Sequence, residues 1–130
     1  MELCKFSNGI EDHNMIIDTA IKSDGIYIKR EESYSYTVGF NNIGSPELVI
    51  FNTSPDAACE IFHTLYLAAR NTDITLVENK TISTLFAHPL FLETYSEFDT
   101  RKTIFGARTY YGNWEFDVLK IMISDNVGGF

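Results

Sequence analysis

Residues 34–70 read YSYTVGF, NNIGSPE, LVIFNT, SPDAACEIFHTLYLAAR, that is, strand, Gly/Pro loop, strand and capped helix. In Tyr34, Tyr36 and Val38 the aromatic and β-branched residues recur at every second position, the pattern of a strand with one buried face. Leu48 to Phe51 is a continuous apolar run, which suits a strand covered on both sides. Ser54 then stands where its hydroxyl can accept from a free N–H of the first helical turn, Pro55 fits the first helical position, and Asp56 complements the dipole. Ala58, Ile61, Phe62, Leu65, Ala68 and Ala69 follow on one face at helical spacing. A helix from Pro55 to Arg70 packed on the sheet is therefore expected, and the Gly44/Pro46 loop should join neighbouring strands rather than carry a crossover.

On either side the pattern continues. Ile10, Ile17, Ala20 and Ile21 favour a short amphipathic helix ended near Gly25, and Ile26 to Arg30 reads as a strand that turns at Glu31-Glu32-Ser33 into Tyr34 to Phe40. The segment 72–86 is ambiguous: ITLV suggests a strand, whereas TISTLF fits a strand or a helical turn. Leu90 to Tyr95 alternates as a strand, Asp99 or Thr100 opens a helix to Tyr111 ended by Gly112, and Trp114 to Ile123 is the last strand. The predicted architecture is one α+β domain over residues 1–130, a mainly antiparallel sheet of about five strands with two or three packed helices.

The chain has 130 residues, 45% hydrophobic, enough to bury a core without a metal or a disulfide staple. No signal or transit pattern is visible and no apolar run reaches membrane-spanning length, so a cytoplasmic protein with no membrane partner is expected. In a reducing compartment Cys4 and Cys59 would be free thiols. Eighteen acidic against ten basic residues, net charge −8, argue against nucleic acid; such a surface attracts basic proteins, but moderate acidity is more often simply how a cytoplasmic protein stays soluble.

The residues also resemble a family. Tyr36-Thr37-Val38-Gly39-Phe40, Gly44-x-Pro46-Glu47-Leu48-Val49-Ile50-Phe51, Pro55 to Ala58 and Phe105-Gly106-Ala107-Arg108 with Tyr111-Gly112, Phe116-x-Val118-Leu119, Asp125 and Gly128 are similar to the bacterial domain-of-unknown-function family 4262. The resemblance implies a fold and almost no function. Ser45, Lys120, Ile123 and Ser124 stand where that family usually carries histidine, glutamine, tryptophan and proline.

No constellation carries a reaction. Glu60-x-x-His63 lacks the second copy and further glutamates of a di-iron site, the three histidines have no ligand-spaced partners, and nucleophile-elbow and phosphate-loop patterns are absent. No catalytic residue, metal or cofactor is expected, and Cys59 reads as a packed thiol. Glu47 fits a general base or, better, a carboxylate that caps backbone N–H groups. The most suggestive cluster is Arg101, Arg108, Tyr110, Tyr111 and Trp114, where guanidinium forks and aromatic faces would hold a small anionic ligand, with Tyr36 and Glu47 as the next candidates. The expected function is a non-catalytic binding protein that sequesters or neutralises a ligand or protein partner, in the manner of immunity or inhibitor proteins, with self-assembly into a homo-oligomer left open. The competing reading is a small enzyme acting on a nucleotide-like or other anionic substrate.

Overall fold

A computed structural model describes residues 13–123 apart from 84 and 87. Helix α1 (His13–Asp24) is followed by strands β1 (Tyr27–Arg30), β2 (Tyr34–Val38) and β3 (Glu47–Phe51), helix α2 (Pro55–Arg70), strands β4 (Lys80–Ile82) and β5 (Leu90–Thr94), helices α3 (Glu97–Thr103) and α4 (Phe105–Tyr111), and strand β6 (Val118–Ile123). The six strands form one sheet in the order β1-β2-β3-β6-β5-β4. Every neighbouring pair is antiparallel except β3 with β6, which run parallel with Glu47 opposite Val118.

The α+β reading holds, with six strands in place of about five and four α-helices in place of two or three. The additional strand is β4, out of the ambiguous 72–86 segment; it is three residues long and pairs only with β5. ITLV is not a strand: Ile74 and Leu76 face the core under α2 while Thr75 and Val77 are exposed, but no described strand pairs with the segment to make a ladder. The helix expected from Asp99 to Tyr111 is two helices, broken at Ile104, whose φ of −103° and ψ of 52° leave the helical region while its side chain is fully buried. The last strand begins at Val118 rather than Trp114.

Local chemistry accounts for the long helix as expected. The Ser54 hydroxyl accepts from the Ala57 N–H at 3.2 Å, Pro55 occupies the first turn and Arg70 the last. Its buried face is Ala58, Cys59, Phe62, Leu65, Tyr66 and Ala68, so Ile61 and Ala69 sit at the margin. Cys59 is disulfide-bonded, not the free thiol expected; Cys4 lies outside the described residues. Among the described residues no helix is long and apolar enough to cross a membrane.

The two sheet faces carry separate cores. One, under α2, is aliphatic: Ile28, Leu48, Ile50, Leu65, Leu90, Leu92 and Ile121 around Phe62. The other lies under α1 and α4 and contains Tyr27, Tyr36, Val38, Val49, Ile104, Ala107 and Val118. Because β3 is central, Leu48, Val49 and Ile50 are all within 1% of full burial, as the unbroken apolar run implied.

Candidate functional site

Two arrangements stand out at the end of the sheet where the parallel strands β3 and β6 begin. The first is a buried carboxylate. Glu47, the first residue of β3, is fully buried, and every group bonded to its carboxylate is a donor. Its Oε1 accepts from the Thr37 hydroxyl at 2.8 Å and the Phe40 N–H at 3.2 Å. Its Oε2 accepts from the N–H groups of Gly39 at 3.1 Å and Asn41 at 3.0 Å, and from the Tyr111 hydroxyl. The proton directions are set by the surroundings: Thr37 Oγ1 is occupied by the Leu48 N–H (2.9 Å) and Tyr111 Oη by the Gly39 N–H (2.9 Å), which leaves both hydroxyl protons for Glu47.

The local sequence explains this clasp. Residues Phe40–Ile43 form a single 3₁₀ turn, and Gly39 to Asn41 present its free N–H groups to the carboxylate. Gly39 adopts a φ of 126°, and a Cβ there would lie 2.5 Å from the Gly25 carbonyl oxygen, so no other residue fits. Complete desolvation pushes the Glu47 carboxyl above the ordinary carboxylate range, and the hydrogen bonds from Tyr111, Asn41, Thr37 and Gly39 pull against that rise. The Tyr111 phenol is held far above its ordinary value by burial and then by the neighbouring Glu47 charge. Glu47 therefore has the capping geometry anticipated for it, and it ties β3, the 3₁₀ turn and α4 together.

The second arrangement is an open groove of about 860 Å³ beside the clasp. Its walls come from Asn41, Gly44 and Pro46, from the 75–78 segment before β4, from Thr94 and Tyr95, from α3 through Glu97 and Thr100, and from the loop and strand at 114–119. Gly112, at φ 80°, ends α4 and releases the chain into that loop. Trp114 and Phe116 then lie 6.0 Å apart in a tilted pair, with Tyr111 5.4 Å beyond Phe116. Among the described residues four carboxylates line the groove, those of Glu78, Glu97, Glu115 and Asp117, with no Lys, Arg, His or Cys.

Of the residues singled out from sequence, Trp114 lines this groove, and Arg101 stands at its rim, 5.8 Å over the Trp114 ring and bonded to Glu97 at 2.7 Å. Arg108 is exposed on α4, and Tyr110 meets Tyr111 edge-on at 5.0 Å. Tyr36 is 1% exposed, its hydroxyl accepting the Gly106 N–H at 2.8 Å. Tyr36, Glu47 and Tyr111 thus act as scaffold behind the groove. Neither Glu47, His88 nor Cys59 lines it.

Where the sequence departs from its family pattern, Ser45 donates its N–H to the Phe40 carbonyl at 3.1 Å and Lys120 holds its ammonium 5.2 Å over the Phe51 ring. Ile123 is 39% exposed, and Ser124 lies outside the described residues. The model of a family described as a domain of unknown function (DUF4262) matches residues 19–130, most of the chain. The chain belongs to the DUF4262 family. No curated protein and no solved structure matches it.

The groove acids of this DUF4262 protein, and Thr100 beside them, escaped the sequence reading. Glu78, Glu97, Glu115 and Asp117 lie in three segments with no shared spacing, and only the β3–β6–β5 pairing brings those segments together.

Proposed function

We propose that this DUF4262 protein is a non-catalytic binding protein whose groove between the 75–78 segment, α3 and the Trp114 loop receives a partner. The observation that carries the reading is the groove itself. Its volume of about 860 Å³ falls in the range of ligand sites, and an aromatic pair lies at one wall with polar groups distributed around it. Among its described residues the lining offers neither cysteine nor histidine.

Native mass spectrometry of the purified protein tests this reading, run in parallel on Trp114→Ala after circular dichroism has established that the variant is folded. The expected result is a bound species or a stoichiometric partner on the native protein that is reduced or lost in the variant. A species retained equally by both would remove the groove from the function.

A further inference from the structure

We infer that the groove takes an extended basic peptide segment of a partner protein, presenting lysine or arginine side chains to the four groove carboxylates. This deepens the binding reading and rests on it.

Charge complementarity is the first support. Glu97 is already paired with Arg101, but Glu78, Glu115 and Asp117 make no ion pair with any described residue. Lys80, two positions beyond Glu78, has its ammonium held by the Thr75 carbonyl oxygen at 2.9 Å. Glu78 does accept a hydrogen bond from the Thr94 hydroxyl, which orients its carboxylate without neutralising it. The groove therefore keeps a negative surplus within a chain whose net charge is −8.

The spacing of those charges selects the occupant. Among the described residues no group of three or more His, Cys, Asp and Glu is arranged to hold a metal ion, so the carboxylates are spread along the walls rather than converged on a point. A single compact cation would satisfy one of them at a time, whereas a chain of cationic side chains reaches several.

Two further observations point to a peptide. Thr100 is 7% exposed and lines the groove, yet its hydroxyl makes no hydrogen bond with any described residue. That hydroxyl can donate to a peptide carbonyl or accept from a peptide N–H entering the groove. Val77 and Glu78, which also line the groove, are exposed and their N–H groups have no partner among the described residues, which leaves a main-chain donor for an extended peptide. The tilted Trp114–Phe116 pair adds faces on which cationic side chains stack, as Arg101 already does on Trp114.

Trp114 is the chain's one tryptophan, so its emission reports directly on the groove. The experiment titrates the full-length protein with a fluorescein-labelled octalysine peptide, following anisotropy and, with the unlabelled peptide, tryptophan emission. The comparison probes are the same peptide with every lysine acetylated, octaglutamate, and spermine. Octalysine is expected to bind and shift the emission, to weaken as salt is raised, and to bind about tenfold less well to Glu115→Gln/Asp117→Asn. Glu32→Gln/Glu60→Gln removes the same charge at exposed positions outside the groove and should leave the affinity unchanged. Equal weakening by both double variants, or no binding of octalysine, overturns the inference.

Acetylated peptide or octaglutamate binding more tightly than octalysine would preserve a binding groove while refuting its cationic occupant. Spermine binding as tightly as octalysine would refute the peptide and leave a small polycation. Thr100→Val is expected to lower octalysine affinity a few fold without changing the salt dependence, and an unchanged affinity would remove the main-chain contact from the proposal.

Discussion

The two faces of the sheet are held by different physics. Under α2 the core is built of Ile, Leu and Phe side chains whose burial needs no particular orientation beyond good packing. Under α1 and α4 the core is edged by phenols that hydrogen-bond to other elements: across long stretches of chain, Tyr36 to the Gly106 N–H, Tyr34 to the Thr103 carbonyl at 3.1 Å and Tyr111 to Glu47, and, nearer in sequence, Tyr95 with the Thr103 hydroxyl at 3.1 Å. The first face supplies stability through area removed from water, and the second specifies where α3 and α4 sit. Since α3 and the loop after α4 form groove walls, the hydrogen-bonded face is the one that shapes the candidate site.

The largest loss is expected on the aliphatic face. Phe62 is fully buried at the centre of the α2 core, and Phe62→Ala should cost about 3–5 kcal/mol in a urea melt. A loss below about 1 kcal/mol would mean that this face is not the main source of stability.

Glu47→Gln comes next, at roughly 3 kcal/mol, because the amide NH₂ turns two donors toward a site that contains only donors and leaves at least one buried N–H or hydroxyl unsatisfied. The neighbouring Leu48→Met, on the aliphatic face, keeps volume and polarity and should cost less than about 1.5 kcal/mol. Similar losses for the two would erase the distinction between the faces.

Tyr36→Phe removes one oxygen and strands the buried Gly106 N–H, for an expected loss of about 1–3 kcal/mol. In the wild type a Cβ on Gly106 would lie 2.6 Å from the Tyr36 hydroxyl oxygen, so a glycine is what lets the phenol reach the amide. In the wild type, hydrogen exchange at the Gly106 amide should be slow, and fast exchange there would break the proposed tie between β2 and α4.

The smallest effect at neutral pH, but the most diagnostic at high pH, belongs to Tyr34. Burial, with Glu31 and Tyr95 contributing, pushes its phenol from 10.0 up to about 12. The folded state thus holds the proton after the unfolded chain has released it. The stabilisation is complete below pH 10 and is lost as pH rises from 10 to about 12. Tyr36 and Tyr111 shift in the same direction, so alkaline unfolding should begin at the tyrosine-rich face. Thermal melts across this window should show a shallower decline for Tyr34→Phe than for the wild type, and parallel curves would place the alkaline sensitivity elsewhere.

Much of the fold was legible because its signals are local. The Ser54-Pro55-Asp56 start and the spacing of Ala58, Phe62 and Leu65 announce α2 without reference to any other segment. The β1–β2 hairpin and the β2–β3 connection are read from short turns between apolar strands. The site was legible only in part. Glu47 could be recognised as a capping carboxylate from its place in a Gly/Pro loop, and Trp114 as an aromatic near arginines, but nothing in Tyr111 or Thr37 marked them as partners of Glu47. The break at Ile104 was equally hidden, since burying that side chain against the sheet overrides a helical pattern that continues through it.

By itself the sequence determined the class of fold, the central buried strand, the capped helix and the acidic surface, because each follows from composition, periodicity or short-range hydrogen bonding. Only the tertiary structure decided that β6 inserts between β3 and β5, and with it that Asp117 and the Trp114 loop share a groove with Pro46, Glu78 and Glu97. The reason is that an apolar strand carries no mark of its neighbour: a parallel partner far along the chain is selected by the packing of both sheet faces at once.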